Sequence, residues 1–91
     1  MMARFRHGIE TVTVMLKDLT PNGARIEGVG QLDDDEAVYL TLPGMKPRLS
    51  FVAWANHHCA GLEFSEPLPQ AMFQALVSAF GRTGIETGIA A

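Results

Sequence analysis

The stretch L-K-D-L-T-P-N-G-A-R-I-E-G, residues 16–28, constrains the fold of this chain more than any other. A β-branched, apolar run leads into it, and Asp18, Thr20 and residues 21–23 (P-N-G) then supply turn-forming side chains. Residues 24–27 (A-R-I-E) follow as a short alternating run. Alternation on both sides of turn residues is typical of two strands joined by a reversal of the chain. The stretch therefore predicts a turn between strands.

The rest of the sequence repeats this pattern before it changes period. Short alternating or apolar runs between turn signals predict five strands, at residues 10–17, 23–28, 37–42, 49–55 and 59–64. After Pro69 the apolar residues take the spacing of an amphipathic helix that ends at Gly81: Met72, Phe73, Leu76, Val77 and Phe80. Five strands and a closing helix predict a mainly β protein, a small antiparallel β-barrel with one C-terminal α-helix.

Ninety-one residues fit a single domain. Residues 1–9 show no periodicity and are predicted to form a flexible N-terminal arm, residues 10–81 the folded domain, and residues 82–91 a disordered tail. The chain has no apolar run of ~20 residues, no signal-peptide stretch and a single cysteine, Cys59. We therefore expect a cytoplasmic protein without membrane insertion or an internal disulfide.

The net charge of −3 argues against DNA or RNA binding, which relies on a basic surface. The charge is unevenly distributed along the chain. Residues 1–25 hold four basic and two acidic residues, whereas residues 26–91 hold three basic and eight acidic residues. We therefore expect any anionic ligand to bind near the N-terminal quarter of the chain.

Other candidate sites carry less weight. His57, His58 and Cys59 are adjacent, so an extended chain would direct them to opposite faces rather than to one zinc ion. The acidic run of residues 33–36 lacks the ligand spacing of an EF-hand and predicts a solvated loop. Trp54 could stack on a purine, but in a strand flanked by Val52 and Ala55 such a residue more often lies in the core or at the barrel rim. The sequence shows no nucleophile paired with a base, so we predict no enzyme, metal or cofactor.

Three short motifs and the order of the elements resemble a PilZ domain over about residues 11–80. The motifs are D-L-T-P-N-G-A-R-I, the later V-A-W, and G-L-E-F just before the helix. The PilZ family is a small bacterial β-barrel best known as a receptor for the second messenger cyclic di-GMP. Its central motif is an Asp or Asn, a Ser two positions later and a Gly three beyond, and here Asp18, Thr20 and Gly23 fill it, with Thr in place of Ser.

The chemistry of these residues suits a guanine. The Asp18 carboxylate can accept two hydrogen bonds from the N1 and N2 edge of the base, Thr20 offers a hydroxyl, and Gly23 a backbone able to adopt positive φ, with Arg25 beside them. Asp18 and Thr20 also suit a simpler role, in which each side chain bonds the backbone of its own turn. The two interpretations are compatible.

The second motif of the family is Arg-x-x-x-Arg in a flexible arm that folds over the ligand, where guanidinium groups grip phosphates and guanine edges. This chain has Arg4-x-Arg6 instead, with Gly8 where a second arginine would stand. Only one ordinary strand fits between Arg6 and Asp18, so either the first barrel strand is missing or the arm is displaced. Arg4 and Arg6 are thus expected either to close over the ligand or to lie in a solvated arm.

Two functions follow from the resemblance. In the first, the domain binds cyclic di-GMP through Arg4, Arg6, Asp18, Thr20, Gly23 and Arg25, and ordering of the arm passes the signal to a partner. In the second, a degenerate PilZ domain has lost nucleotide binding and serves as a protein-interaction adaptor. The partner would act in motility, pilus, exopolysaccharide or cell-cycle control. The adaptor would bind it, or a second copy as a homodimer, through an open sheet edge or the helix face of Met72, Phe73 and Phe80.

Overall fold

The computed structural model describes the backbone of residues 1–83 and the side chains of residues 1–79. Six strands and one helix follow one another along this part of the chain. They are β1 (Met2–His7), β2 (Glu10–Thr20), β3 (Gly23–Glu27), β4 (Ala37–Thr41), β5 (Arg48–Ala55), β6 (Cys59–Phe64) and α1 (Gln70–Thr83).

The six strands close into an antiparallel barrel in the order β1-β2-β3-β6-β5-β4. Strand β1 closes it, because Phe5 lies opposite Val12 of β2 on one side and opposite Leu40 of β4 on the other. The predicted small antiparallel barrel with a C-terminal helix is confirmed, with six strands rather than five.

The N-terminal segment differs most from expectation. Residues 1–9 were predicted to be a flexible arm, but Met2–His7 forms β1, hydrogen-bonded to both neighbouring strands. Inward-facing and outward-facing residues alternate in β1, but over a short stretch: only Ala3 and Phe5 point into the core, while Arg4 and Arg6 point outward. The chain reverses at Gly8, whose φ of 64° is in the left-handed region that glycine tolerates. The first barrel strand is therefore present, and the predicted open edge does not occur among the described strands.

The barrel interior is filled by apolar side chains. Inward-facing and outward-facing residues alternate along most of the strands, and the inward set includes Val14, Leu16, Ile26, Val38, Leu40, Val52 and Leu62. Leu76 of α1 is buried with this cluster, and Phe73 packs against it half-buried. Because the interior is full, a ligand has to bind on the outer wall or at an end of the barrel.

Helix α1 begins directly after Pro69, as predicted, and continues past Gly81 to Thr83. Part of the predicted tail, residues 84–91, lies outside the described residues, and so does the side chain of Phe80. Within residues 1–83, no helix combines the length and apolar character needed to cross a bilayer.

Candidate functional site

Asp18 and Thr20 belong to β2 rather than to the turn that the sequence predicted. The strand contains a β-bulge, because its pairing register with β3 shifts between Leu16 and Asp18. Leu16 and Leu19 are both buried, so one extra residue separates two inward-facing positions and Asp18 faces outward. In a regular strand Asp18 would share the inward face of Leu16. The bulge thus places a carboxylate on the outer wall.

A second bulge lies in β5, where the register with β6 shifts between Val52 and Trp54. Val52 is fully buried, whereas Trp54 is on the outer wall with 42% of its surface exposed. The bulge therefore turns the only tryptophan of the chain outward.

Together the two bulges align one residue from each of four adjacent strands. Asp18 of β2 lies opposite Arg25 of β3, Arg25 opposite Gly61 of β6, and Gly61 opposite Trp54 of β5. We call this line of outward-facing residues the Asp18–Trp54 row. It lines a shallow cavity of about 260 Å³, to which Thr20 and Gly23 also contribute. The structure therefore brings four of the six predicted site residues together and adds Trp54.

The indole of Trp54 lies against the backbone of Gly61. A Cβ on Gly61 would lie 2.1 Å from Nε1 of the indole, so only glycine leaves room for this position of the ring. Because the ring is nearly half exposed, it presents aromatic surface to the cavity next to Arg25. An exposed aromatic ring of this kind can stack on a planar ligand.

Asp18 and Arg25 form a long ion pair. Nη2 of Arg25 is 3.8 Å from Oδ2 of Asp18, and the two side chains are 42% and 34% exposed respectively. This separation exceeds a hydrogen bond, and an ion pair so exposed to water stabilises the fold little. Both groups therefore keep most of their hydrogen-bonding capacity for a ligand. The carboxylate can accept two N–H donors, and the guanidinium can donate to a phosphate or a carbonyl oxygen.

Thr20 and Gly23, which line the cavity beside the row, have local structural roles. Oγ1 of Thr20 accepts hydrogen bonds from the backbone N–H groups of Asn22, at 3.2 Å, and Gly23, at 3.1 Å. The simpler turn role is therefore confirmed for Thr20. The backbone of Gly23 was expected to be able to adopt positive φ, but the structure does not use this freedom, since positive φ occurs at Gly8, Gly28 and Gly44. Glycine is needed here because a Cβ would lie 2.2 Å from the carbonyl oxygen of Leu62 in β6.

Arg4 and Arg6 do not join the row. They lie on the outer face of β1, opposite Thr13 and Thr11 of β2. Asp18 is five residues beyond Thr13, which corresponds to roughly 17 Å along the strand. The two arginines line a different groove with Tyr39 and Thr41 of β4. The expected arrangement, in which they close over a ligand at Asp18, is not formed in this structure.

Glu36 was expected in a solvated acidic loop, and the structure gives it a specific partner. Its Oε2 is hydrogen-bonded to Nε2 of His7, and its Oε1 accepts a hydrogen bond from the backbone N–H of Asp33 at 3.1 Å. The hydrogen bond from Asp33 has the largest effect on the pKa of Glu36 and lowers it from its usual value. The hydrogen bond to His7 lowers this pKa further. The contact ties the end of β1 to the start of β4. No spacing pattern in the sequence indicates this contact, since the two partners are 29 residues apart along the chain.

Comparison of the chain with protein-family models, with curated proteins and with solved structures gives no match. Its function has to be inferred from the chemistry of the Asp18–Trp54 row and of the surfaces around it.

Proposed function

We propose that the protein is a PilZ-like bacterial signalling domain that acts in the cytoplasm, without catalysis, and binds cyclic di-GMP at the Asp18–Trp54 row. One observation carries this proposal. Two separate β-bulges align a carboxylate, a guanidinium and an exposed aromatic ring across four strands of the outer wall. Bulges disturb strand pairing and are frequent where a binding site needs a side chain re-aimed.

Each group in the row has a role that matches part of the ligand. The Asp18 carboxylate accepts hydrogen bonds from the N1–H and N2–H₂ donors of a guanine. The face of Trp54 stacks on the base, and Arg25 donates to a phosphate or to guanine O6 and N7. Arg25 is the only basic residue that lines the cavity within the described chain. With a single guanidinium we expect affinity of roughly micromolar order, which corresponds to about −8 kcal/mol.

The tryptophan makes a direct test possible. Trp54 is the only tryptophan, so its fluorescence reports on the row alone. We expect cyclic di-GMP to quench it saturably and to release heat in isothermal titration. Cyclic di-AMP is the matched ligand control, because adenine lacks the N2 amino donor that Asp18 would bind. The absence of both quenching and heat with ~100 μM protein, where micromolar binding would register, would refute nucleotide binding.

A pair of variants distinguishes a specific contact by Asp18 from the general effect of removing one negative charge. Asp18→Ala should weaken cyclic di-GMP binding by about tenfold or more, because hydrogen bonds to a charged group contribute about 1.5–3 kcal/mol. Glu63→Ala removes the same charge from an exposed position of β6 that does not line the cavity, and should leave binding unchanged. Equal affinities for the two variants would show that Asp18 does not contact the base.

The position of Arg4 and Arg6 supports a second candidate, a PilZ-like adaptor that binds a protein and no nucleotide. The row then has Arg25 alone and lacks a second arginine to clamp the phosphates, since Arg4 and Arg6 both lie on β1. Partner binding would use the face of α1, where Met72 is 46% exposed, because the closed barrel offers no strand edge among residues 1–83. Its partner would act in motility, pilus, exopolysaccharide or cell-cycle control. Light scattering tests the homodimer form, which would show twice the 9.9 kDa mass of the chain.

A further inference from the structure

A groove on the outer face of β1 is separate from the Asp18–Trp54 row. Its basic part has a volume of about 450 Å³ and is lined by Arg4, Arg6, Thr11, Tyr39, Thr41 and Pro47. An apolar part of about 280 Å³ continues from Arg4 and Thr41 to Met2, Pro43 and Met45. We call the two parts together the β1 groove. The proposed nucleotide site at the row does not involve the β1 groove.

The two arginines of the groove are available to a ligand. Within the described chain, neither Arg4 nor Arg6 forms an ion pair, and no residue lining the groove carries a carboxylate. The guanidinium of Arg6 lies 4.7 Å from the centroid of the Tyr39 ring, and this cation–π contact holds it in position. The carboxylate of Glu36 is already hydrogen-bonded to His7, the residue that follows Arg6 in the chain. The groove is therefore a basic surface on a chain of net charge −3.

The spacing of the arginines matches an extended peptide. Arg4 and Arg6 project from one face of β1, two residues and so about 7 Å apart. Alternate side chains of an extended peptide also repeat every ~7 Å on one face. Two acidic residues separated by one residue would meet both guanidinium groups, and the next alternate side chain would reach Met2 and Met45. The backbone of β1 is already paired with β2 and β4, so the peptide would dock through side chains.

We propose that the β1 groove binds an extended acidic segment of a partner protein, with two carboxylates at alternate positions and an apolar side chain at the next alternate position. This site goes beyond nucleotide binding and does not depend on it. Charge complementarity favours such a partner, because guanidinium groups form strong, often bidentate hydrogen bonds with carboxylates.

A second copy of the chain is the competing occupant. Its own segment Leu32-x-Asp34-x-Glu36 has the required pattern. However, Leu32 packs against the core and Glu36 is bonded to His7, so this segment is not free to dock. A segment from a different protein is therefore the better occupant.

Fluorescence anisotropy with labelled peptides tests the proposal on the full chain. The probe is a peptide with the sequence Ser-Asp-Ser-Glu-Ser-Leu-Ser. A permuted control of the same composition, Ser-Ser-Asp-Glu-Leu-Ser-Ser, places the acidic residues next to each other, so that they point to opposite faces. We expect the alternating peptide to bind about tenfold more tightly than the permuted one. Its affinity should fall as salt rises from 0.1 M to 1 M, because the screening length drops from about 10 Å to 3 Å.

Matched variants locate the binding site. Arg4→Gln and Arg6→Gln should each weaken peptide binding by about tenfold, which corresponds to 1.4 kcal/mol. Lys17→Gln removes the same charge from β2 outside the groove, and Asp18→Ala alters only the nucleotide row, so both should leave peptide binding unchanged. Equal binding of the two peptides, or unchanged binding by both arginine variants with an unaltered circular dichroism spectrum, would overturn the proposal. So would a dimer that Arg4→Gln dissociates, because the occupant would then be a second copy.

Discussion

At Gly23 an added methyl group would collide with backbone, whereas at Gly61 it would collide with a side chain. Its Cβ would lie 2.2 Å from the carbonyl oxygen of Leu62, well inside the closest contact that side chains make. The obstacle is backbone of the neighbouring strand β6, and Leu62 itself is buried. In Gly23→Ala the two strands therefore have to separate by roughly 0.8 Å or more, because no flexible side chain can move aside.

The cost of this separation can be worked out from its parts. Forcing an extra carbon into a packed region costs about 1–3 kcal/mol. A weakened hydrogen bond between β3 and β6 adds about 0.5–1.5 kcal/mol. The smaller conformational entropy of unfolded alanine offsets about 0.4–1 kcal/mol. These parts together allow a loss of about 0.5–4 kcal/mol. We expect the free energy of unfolding to fall by about 2 kcal/mol, near the middle of this range, and the melting temperature of a domain of this size to fall by about 10 °C.

Urea and thermal unfolding, followed by far-UV circular dichroism, measure this change. Gly30→Ala is the matched control, because its Cβ meets no atom within 4 Å and its φ is not in the left-handed region. It should be neutral or stabilising by up to about 1 kcal/mol. If the free energy of unfolding of Gly23→Ala is within about 0.5 kcal/mol of the wild-type value, with an unchanged urea dependence, the close approach of β6 is not the reason that this position needs glycine.

Three further predictions concern the row, the core and the β1–β4 connection. Gly61→Ala should push the indole of Trp54 into solvent and shift its fluorescence emission to longer wavelength, and an unchanged spectrum would contradict this. The free energy of unfolding should fall by less than about 1 kcal/mol, because the ring is already exposed. Leu40→Ala opens a cavity at a fully buried position and should lower the free energy of unfolding, measured by urea titration, by about 2–5 kcal/mol. A loss below about 1 kcal/mol would show that neighbouring side chains move in to fill the cavity. Because the pKa of Glu36 is lowered below 4.5 in the fold, its stabilisation is present above about pH 4.5 and is lost as the pH falls through the folded value. The difference in melting temperature between wild type and Glu36→Gln should shrink from pH 6 to pH 3, and a constant difference would count against the ionised contact.

The strands that the sequence identified well are those with clear alternation. The predicted strand at 59–64 coincides with β6, and the predicted strand at 37–42 differs from β4 by one residue. Strand β1 was missed because two of its outward residues are arginines and only Ala3 and Phe5 mark its inner face. A pattern of two apolar residues is too short to distinguish a strand from a loop, and β1 is held by pairing with β2 and β4.

The candidate site could be predicted only in part for a related reason. Asp18, Thr20, Gly23 and Arg25 are close in sequence, so a local motif was enough to group them. Trp54 joins them through pairing across β6, and a bulge shifts its register by one residue. A single sequence does not reveal a bulge, because the extra residue, Ala53, has no distinctive chemistry. Arg4 and Arg6 were misplaced because their position depends on β1 being a strand.

Closure of the barrel through β1 also sets an order of events during synthesis. Strand β1 is synthesised before the other strands of the barrel and can pair with β2 through a short hairpin as soon as β2 is made, but its other partner, β4, is made only after β3 and the acidic loop. Until β4 arrives, one side of β1 is an unpaired edge, and such edges promote association between nascent chains. Arg4 and Arg6 project from this strand during that interval, and their like charges oppose the pairing of one nascent β1 with another.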